Sequence, residues 1–259
     1  MQTHRQEIEE FTTRNLAILA VVFAALAPAQ QPVTRTVHLV NIGNSQGLQE
    51  AATVLRTVCD LRTVSVDTAS SSITFTDTPD TVALAEWTLT AIDAAGPMAA
   101  QQYSAPNAAD DIVKVVYLAN TSSAQGIQEL LTQLRTVVDL AKVFDVTAPR
   151  VIAFRGNAST IAASSWLIAQ LDKPFQPNAA PVSYVMAGAA GGDQIRVYYL
   201  HNIATPKPTQ ELLTAIRMQT KAGHAFVSTG GRAIAVRATS DQITAANAIV
   251  AQHDIPGAQ

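Results

Sequence analysis

The sequence carries one cysteine, Cys59, so no disulfide can close within the chain. Lysine is scarce as well, with five residues in 259, and no basic run occurs. Phosphates and anionic lipids are recognised by clustered Lys and Arg, so at a formal net charge of −3 neither nucleic acid nor an anionic membrane surface is expected as a partner. Charged residues make up 14% and apolar residues 48%, the balance of a chain that folds around a core. P-loop, H-E-x-x-H and paired-cysteine signatures are missing, and with them the usual routes to nucleotide, zinc-hydrolase and thiol–disulfide chemistry. No catalytic residue, cofactor or metal is therefore expected.

Long hydrophobic runs are missing too. The apolar stretch Leu16 to Ala27 is shorter than the roughly 20 residues that span a bilayer as a helix. It is followed by Ala27-Pro28-Ala29, a small-x-small pattern suited to signal peptidase. The expectation is an export signal over residues 1–29 and a mature chain starting near Gln30. The acidic opening "MQTHRQEIEEF" is unusual for such a signal and leaves an uncleaved anchor as the alternative.

What the sequence does have is repetition. "QGLQEAATVLRTVCDL" (Gln46 to Leu61) returns as "QGIQELLTQLRTVVDL" (Gln125 to Leu140), with a blurred third copy, "PTQELLTAIRMQTKA", from Pro208 to Ala222. Setting Asn41 against Asn120 and Asn202 aligns the copies without a gap to Asp93, Asp172 and Asp254. Gln49, Gln128 and Gln210 then coincide, as do Glu50, Glu129 and Glu211, and Arg56, Arg135 and Arg217. Such register marks tandem modules.

Each copy reads as β-α-β-β-α. The first strands are "TVHLV", "VVYLA" and "VYYLH", rich in β-branched and aromatic residues. Asn44, Ser123 and Thr205 follow as helix caps, with Pro206 suited to a first helical position. Leu48, Ala51, Ala52, Leu55, Val58 and Cys59 make one helical stripe, repeated by Ile127, Leu130, Leu131, Leu134, Val137 and Val138. Since Val138 replaces Cys59, the cysteine reads as a small core filler. Paired extended runs come next, with Gly230-Gly231 as the clearest hairpin signal. A closing helix ends near Ile92, Leu171 and His253. The fold class is α+β: three modules, each with two helices on one face of a small three-stranded mixed sheet. Their expected bounds are 34–94, 112–173 and 194–257, joined by linkers over 95–111 and 174–193 that are rich in Ala, Pro, Gln and Gly.

A first strand ending in Leu, a capped helix such as "QELLTQLRTV", a hairpin such as "VIAFRGNAS" and a closing helix ending "LIAQLDKP" resemble the short periplasmic domains N-terminal to the pore of bacterial secretins. That resemblance covers about Thr34 to Gly257. It implies a periplasmic, non-enzymatic role in which modules pack against neighbouring copies, in a type II or type III secretion system or a type IV pilus. No segment resembling the pore follows the third copy, which points to a scaffold or accessory part. The alternative is a binding module that holds a peptide or glycan in pockets between the repeats.

Several residues invite a sharper reading. His201, His224 and His253 all lie in the third copy, but their spacing matches no metal motif, and polar substitution is the better account. "GNSQG" and "TSSAQG" precede helices without a nearby Lys or Arg, which favours turn geometry over an anion site. An RNA-binding KH reading fails for want of a G-x-x-G clamp and of positive charge. Trp87 and Trp166 occupy one place in the closing helix, about 180° from its apolar stripe, and Ala248 replaces them in the third copy. They pack either under the following linker, where Tyr103 and Tyr184 lie, or against the next module or another chain. Trp87, Trp166, Tyr103 and Tyr184 are the interface candidates.

Overall fold

The computed structural model describes residues 31–105, 108–188, 193–230 and 232–257, with side chains from 111 onward in the second of these spans. The expected export signal and Gly231 lie outside them. The first copy comprises β1 (Val33–His38), α1 (Ser45–Thr57), β2 (Thr63–Asp67), β3 (Ser72–Asp77) and α2 (Pro79–Ile92). The second, preceded by β4 (Gln101–Ala105), comprises β5 (Ala108–Tyr117), α3 (Ala124–Val137), β6 (Lys142–Val146), β7 (Val151–Gly156) and α4 (Ala158–Leu171). The third, preceded by β8 (Val182–Val185), comprises β9 (Gln194–Tyr199), α5 (Pro206–Thr220), β10 (His224–Ser228), β11 (Ala233–Ala238) and α6 (Ser240–His253). All three belong to one compact unit that begins at Val33.

The helices start where their caps require. Asn44 and Ser123 each accept a hydrogen bond from the N–H of the third helical residue, Gly47 at 2.7 Å and Gly126 at 3.1 Å. Those glycines are also sterically demanded, since a Cβ at Gly47 would lie 2.7 Å from Ile42 Cγ2 and one at Gly126 3.0 Å from Thr121 Cγ2. Thr205 makes no such cap bond. The third helical position there is Pro208, which has no N–H to donate.

The sheet is not mixed as expected. Its order in the first copy is β1-β3-β2, with β3 between its neighbours and antiparallel to both. The α1 crossover makes β1 and β2 run the same way, but they are two places apart, so no parallel ladder forms. Nor are the second and third sheets three-stranded. β4 adds to the edge of β5 and β8 to the edge of β9, each antiparallel, giving the orders β4-β5-β7-β6 and β8-β9-β11-β10. The segments read as linkers thus supply edge strands to the following sheet.

A carboxylate closes each copy. The Asp93 side chain accepts the backbone N–H groups of Val40, Asn41 and Ile42 at 2.7 to 2.8 Å, while the Asn41 side chain donates back to the Asp93 carbonyl. Asp172 does the same for Ala119, Asn120 and Thr121, and Asp254 for His201, Asn202 and Ile203. This latch ties the end of the closing helix to the exit of the first strand. It also explains why the first strands end short of the expected runs: Leu39, Leu118 and Leu200 make the last bonds, to Ser71, Arg150 and Arg232, and the N–H groups after them turn onto the aspartate.

Candidate interaction surfaces

The apolar stripes of α1 and α3 are buried as expected, but more of each helix is covered than one core accounts for. Val54 and Gln133, both outside the stripe, are fully buried, and Leu84, Thr88 and Ala91 on a second face of α2 are buried too. The extra cover is the next module's sheet. α1 lies along β6 and α2 along β4 and β5; α3 in turn lies along β10.

Strand alternation shows how a sheet serves two cores. Val113, Val115, Tyr117, Val151 and Ala153 face the helices of the first module, whereas Ile112, Leu118, Val143, Ile152 and Phe154 face their own. One module on, Ile195, Val197, Ala233 and Ala235 face the second module, and Tyr198, Leu200, Ile234 and Val236 their own helices. The modules therefore stack helix layer to sheet, twice in the same way.

Polar contacts at the two junctions also match. Glu50 accepts from the Thr147 N–H at 2.8 Å, and Glu129 from the Thr229 N–H at 2.7 Å. Asp60 and Asp139 occupy the left-handed position after the first helix, at φ of 60° and 61°. Asp60 pairs with Lys142 and, at 3.1 Å, with Arg155; Asp139 pairs with Arg237 at 2.5 Å and with His224 at 3.4 Å. Arg155 also grips Asp111 through both carboxylate oxygens and holds that carboxyl below its ordinary range. Tyr117 donates to the Ala91 carbonyl at 2.8 Å, and the equivalent Tyr199 reaches the Gln170 carbonyl at 3.3 Å.

The equivalent positions are polar on the first sheet and mixed on the last helix layer, where Met218 is exposed. On the sheet of the first module, Thr34, Thr36 and His38 pair across β3 with Thr76, Thr74 and Ser72, which pair in turn with Thr63, Ser65 and Asp67. All nine stand where the later sheets carry their helix-facing side chains, and Thr34 to Thr76 and Thr36 to Thr74 are joined by hydroxyl hydrogen bonds of 2.8 Å. At the far end, Lys221 takes the place of the junction aspartates at φ 58°, Gln219 replaces Val58 and Val137, and Ala248 replaces the tryptophans.

The four interface candidates meet in pairs within the chain. Trp87 of α2 lies against Tyr103 of β4, and Trp166 of α4 against Tyr184 of β8, each pair with ring centroids 5.4 Å apart. Since β4 and β8 belong to the following sheet, the linker contact and the contact with the next module are one and the same here. The three histidines of the third copy are dispersed in role. His224 sits on the second junction with Nδ1 2.8 Å from the Thr136 carbonyl, and His253 Nδ1 is 2.8 Å from the Ile249 carbonyl. Among the described residues no group of three or more His, Cys, Asp or Glu is placed to hold a metal ion. Cys59 is buried beside Thr88, and burial pushes its thiol up to about 11, far from a reactive thiolate.

Gly43 to Gly47 spells G-x-S-x-G. Its serine, Ser45, opens α1 with ordinary helical backbone, not at the strained elbow that exposes a nucleophile. Among the described residues no hydrogen bond joins it to a histidine.

Asp145 is the one charged residue at its place in the three copies. It is 3% exposed on β6, where the other copies have Val66 and Val227, with Gln128 Nε2 and Thr147 Oγ1 each 3.2 Å from its carboxylate. Burial raises its pKa. A carboxyl whose pKa is higher folded than unfolded holds its proton more tightly when folded, so stability falls as pH rises from below 3.8 through the raised value. Asp145→Asn is expected to raise Tm at pH 7 by on the order of 2–4 °C, with the gain vanishing below about pH 3.8, where aspartate is protonated folded and unfolded alike. Thermal unfolding of both proteins across pH checks this; an equal shift at all pH values would mean the charge is irrelevant.

No family model matches the chain, and no curated protein does. Among solved structures it is similar to Aeromonas hydrophila ExeD, at 18% identity and a TM-score of 0.21, over 87% of this chain and 42% of that one. It is also similar to the N-terminal domain of the secretin XcpQ from Pseudomonas aeruginosa, at 13% identity and a TM-score of 0.23, over 55% of this chain and 63% of that one. A third is the type II secretion system secretin GspD of E. coli K12, at 15% identity and a TM-score of 0.21, over 88% of this chain and 40% of that one. The chain thus spans less than half the length of ExeD and GspD. Among the described residues no helix is long and apolar enough to cross a membrane.

Proposed function

We propose that this protein is a non-enzymatic, exported scaffold of three secretin-like modules, acting through protein–protein contacts in the periplasm as part of a type II secretion or type IV pilus-like assembly. The observation that carries this reading is the junction used twice: Asp60 with Arg155 and Asp139 with Arg237 join module to module. Chemistry invested in joining domains is what a spacer or scaffold requires. The repeat pattern of the sequence supports the same assignment. Chemical crosslinking of the full chain in intact cells is expected to give adducts with cell-envelope proteins. Recovery of the chain in the cytoplasmic fraction, or only as the uncrosslinked species, would overturn the proposal.

One observation favours a second reading. Two cavities, of about 290 and 380 Å³, flank Pro174 and Phe175 where α4 meets the third sheet. Tyr199 and Gln170 line one, Ser123 and Asn120 the other, the mixture of apolar wall and polar groups that suits a peptide or glycan. Saturable binding of a peptide or oligosaccharide that Tyr199→Ala abolishes would support it.

A further inference from the structure

The chain twice shows what seats on the edge of a module's first strand. β4 lies on β5 and β8 on β9, with the same register: Gln101, Gln102 and Tyr103 oppose Val115, Lys114 and Val113, and Val182, Ser183 and Tyr184 oppose Val197, Arg196 and Ile195. The equivalent residues of the first module are Thr36, Arg35 and Thr34. Among the described residues no strand lies on that edge of β1, and Thr34, Arg35 and Thr36 are exposed.

The Leu39 N–H donates to Ser71, so odd-numbered residues of β1 turn their backbone groups to β3 and even-numbered ones outward. Thr34 and Thr36 therefore offer N–H and C=O groups to an incoming strand. The middle position is cationic in every copy, as Arg35, Lys114 and Arg196. Arg196 donates to Ser183 of its added strand at 2.9 Å, and Arg35 is held 3.1 Å from Glu86. On the other side of the ladder, Thr34 and Thr36 already bond hydroxyl to hydroxyl with threonines of β3. A charge on an otherwise open edge rejects apolar strands and selects complementary ones.

We propose that the β1 edge is a docking site for an extended segment of a partner protein, added antiparallel as a fourth strand, with an acidic side chain opposite Arg35 and hydroxyl side chains opposite Thr34 and Thr36. The proposal rests on the protein-contact reading above and names the surface and the partner's chemistry. Strand addition of this kind draws affinity from main-chain hydrogen bonds and specificity from alternate side chains.

The probe is a synthetic peptide with Thr-Glu-Thr at its centre, titrated into the full chain while amide resonances are followed. Saturable shifts at Thr34, Thr36 and His38 are expected. Thr36→Pro removes an outward N–H without touching a β1–β3 bond, and it is expected to abolish those shifts. Arg35→Glu is expected to weaken binding at least tenfold. Methylating the peptide nitrogen of a threonine should abolish binding, whereas methylating that of the glutamate, which points away, should not; this control holds even if a protein variant folds poorly. Absent shifts, shifts that survive Thr36→Pro, or slow hydrogen exchange of Thr34 and Thr36 in the protein alone, from its own chain or a second copy on the edge, would each overturn the proposal. Envelope crosslinks that persist in Thr36→Pro would sink this site and leave the scaffold reading standing.

Discussion

Asp172→Ala is expected to lower stability by about 3–5 kcal/mol. The carboxylate accepts three consecutive backbone N–H groups at 2.6 to 2.9 Å, and the Asn120 side chain completes the closure on the Asp172 carbonyl. Hydrogen bonds to an ionised acceptor each contribute about 1.5–3 kcal/mol. Two of these donors are exposed enough for water to replace part of the loss, which keeps the sum below three times that value. Asp172→Asn should fall between wild type and alanine, because its amide keeps one acceptor but turns an N–H toward a donor. Denaturant unfolding with both variants decides the matter. A loss under about 1 kcal/mol for alanine would mean that the latch follows from packing and does not help to hold it. Asp93 and Asp254 make the same bonds, so the same substitution there should carry a similar cost.

The second large effect is expected from removing both tryptophans. Trp87 and Trp166 are half-buried, each against a tyrosine on the strand that the preceding linker adds to the next sheet. Truncating a buried tryptophan costs about 3–5 kcal/mol in a core and about 2–4 kcal/mol is expected at each of these half-covered sites. The two lie in separate modules, so their costs should add. The readout that identifies the cause is local: hydrogen exchange over Gln101–Ala105 and Val182–Val185 should accelerate, because Tyr103 and Tyr184 lose the surface that holds β4 and β8. The proposed role of these residues is therefore to join modules within the chain. A double variant that kept its exchange pattern but changed its oligomeric state would reassign them to contact with another chain.

A sequence pattern reports short-range regularity well. Helical stripes, caps and hairpins depend on spacings of a few residues, and so the α+β class and the core positions of α1 and α3 were legible in Leu48 to Cys59 and Ile127 to Val138 alone. The latch was half visible: Asn41 and Asp93 mark the first and last aligned residues of the repeat, but that they touch depends on the path of the chain between them. The stack had a signal that spacing does not reveal within one copy. "IVKVVY" on β5 is apolar on both faces, whereas "VTRTVH" on β1 alternates, and only comparing the copies shows Val113 and Val115 standing where Thr34 and Thr36 stand.

By itself the sequence determined that three related units follow one another, which elements each contains and which helix face each buries, because these follow from local periodicity and from register between copies. Only the tertiary structure decided that the linkers become edge strands, that every ladder is antiparallel, and that the first two helix layers are each covered by the next sheet. Those outcomes depend on which distant backbone groups and apolar faces meet, and the same side chains could have met others. It was the meeting of Asp60 with Arg155, 95 positions apart, that turned a surface aspartate into part of a junction.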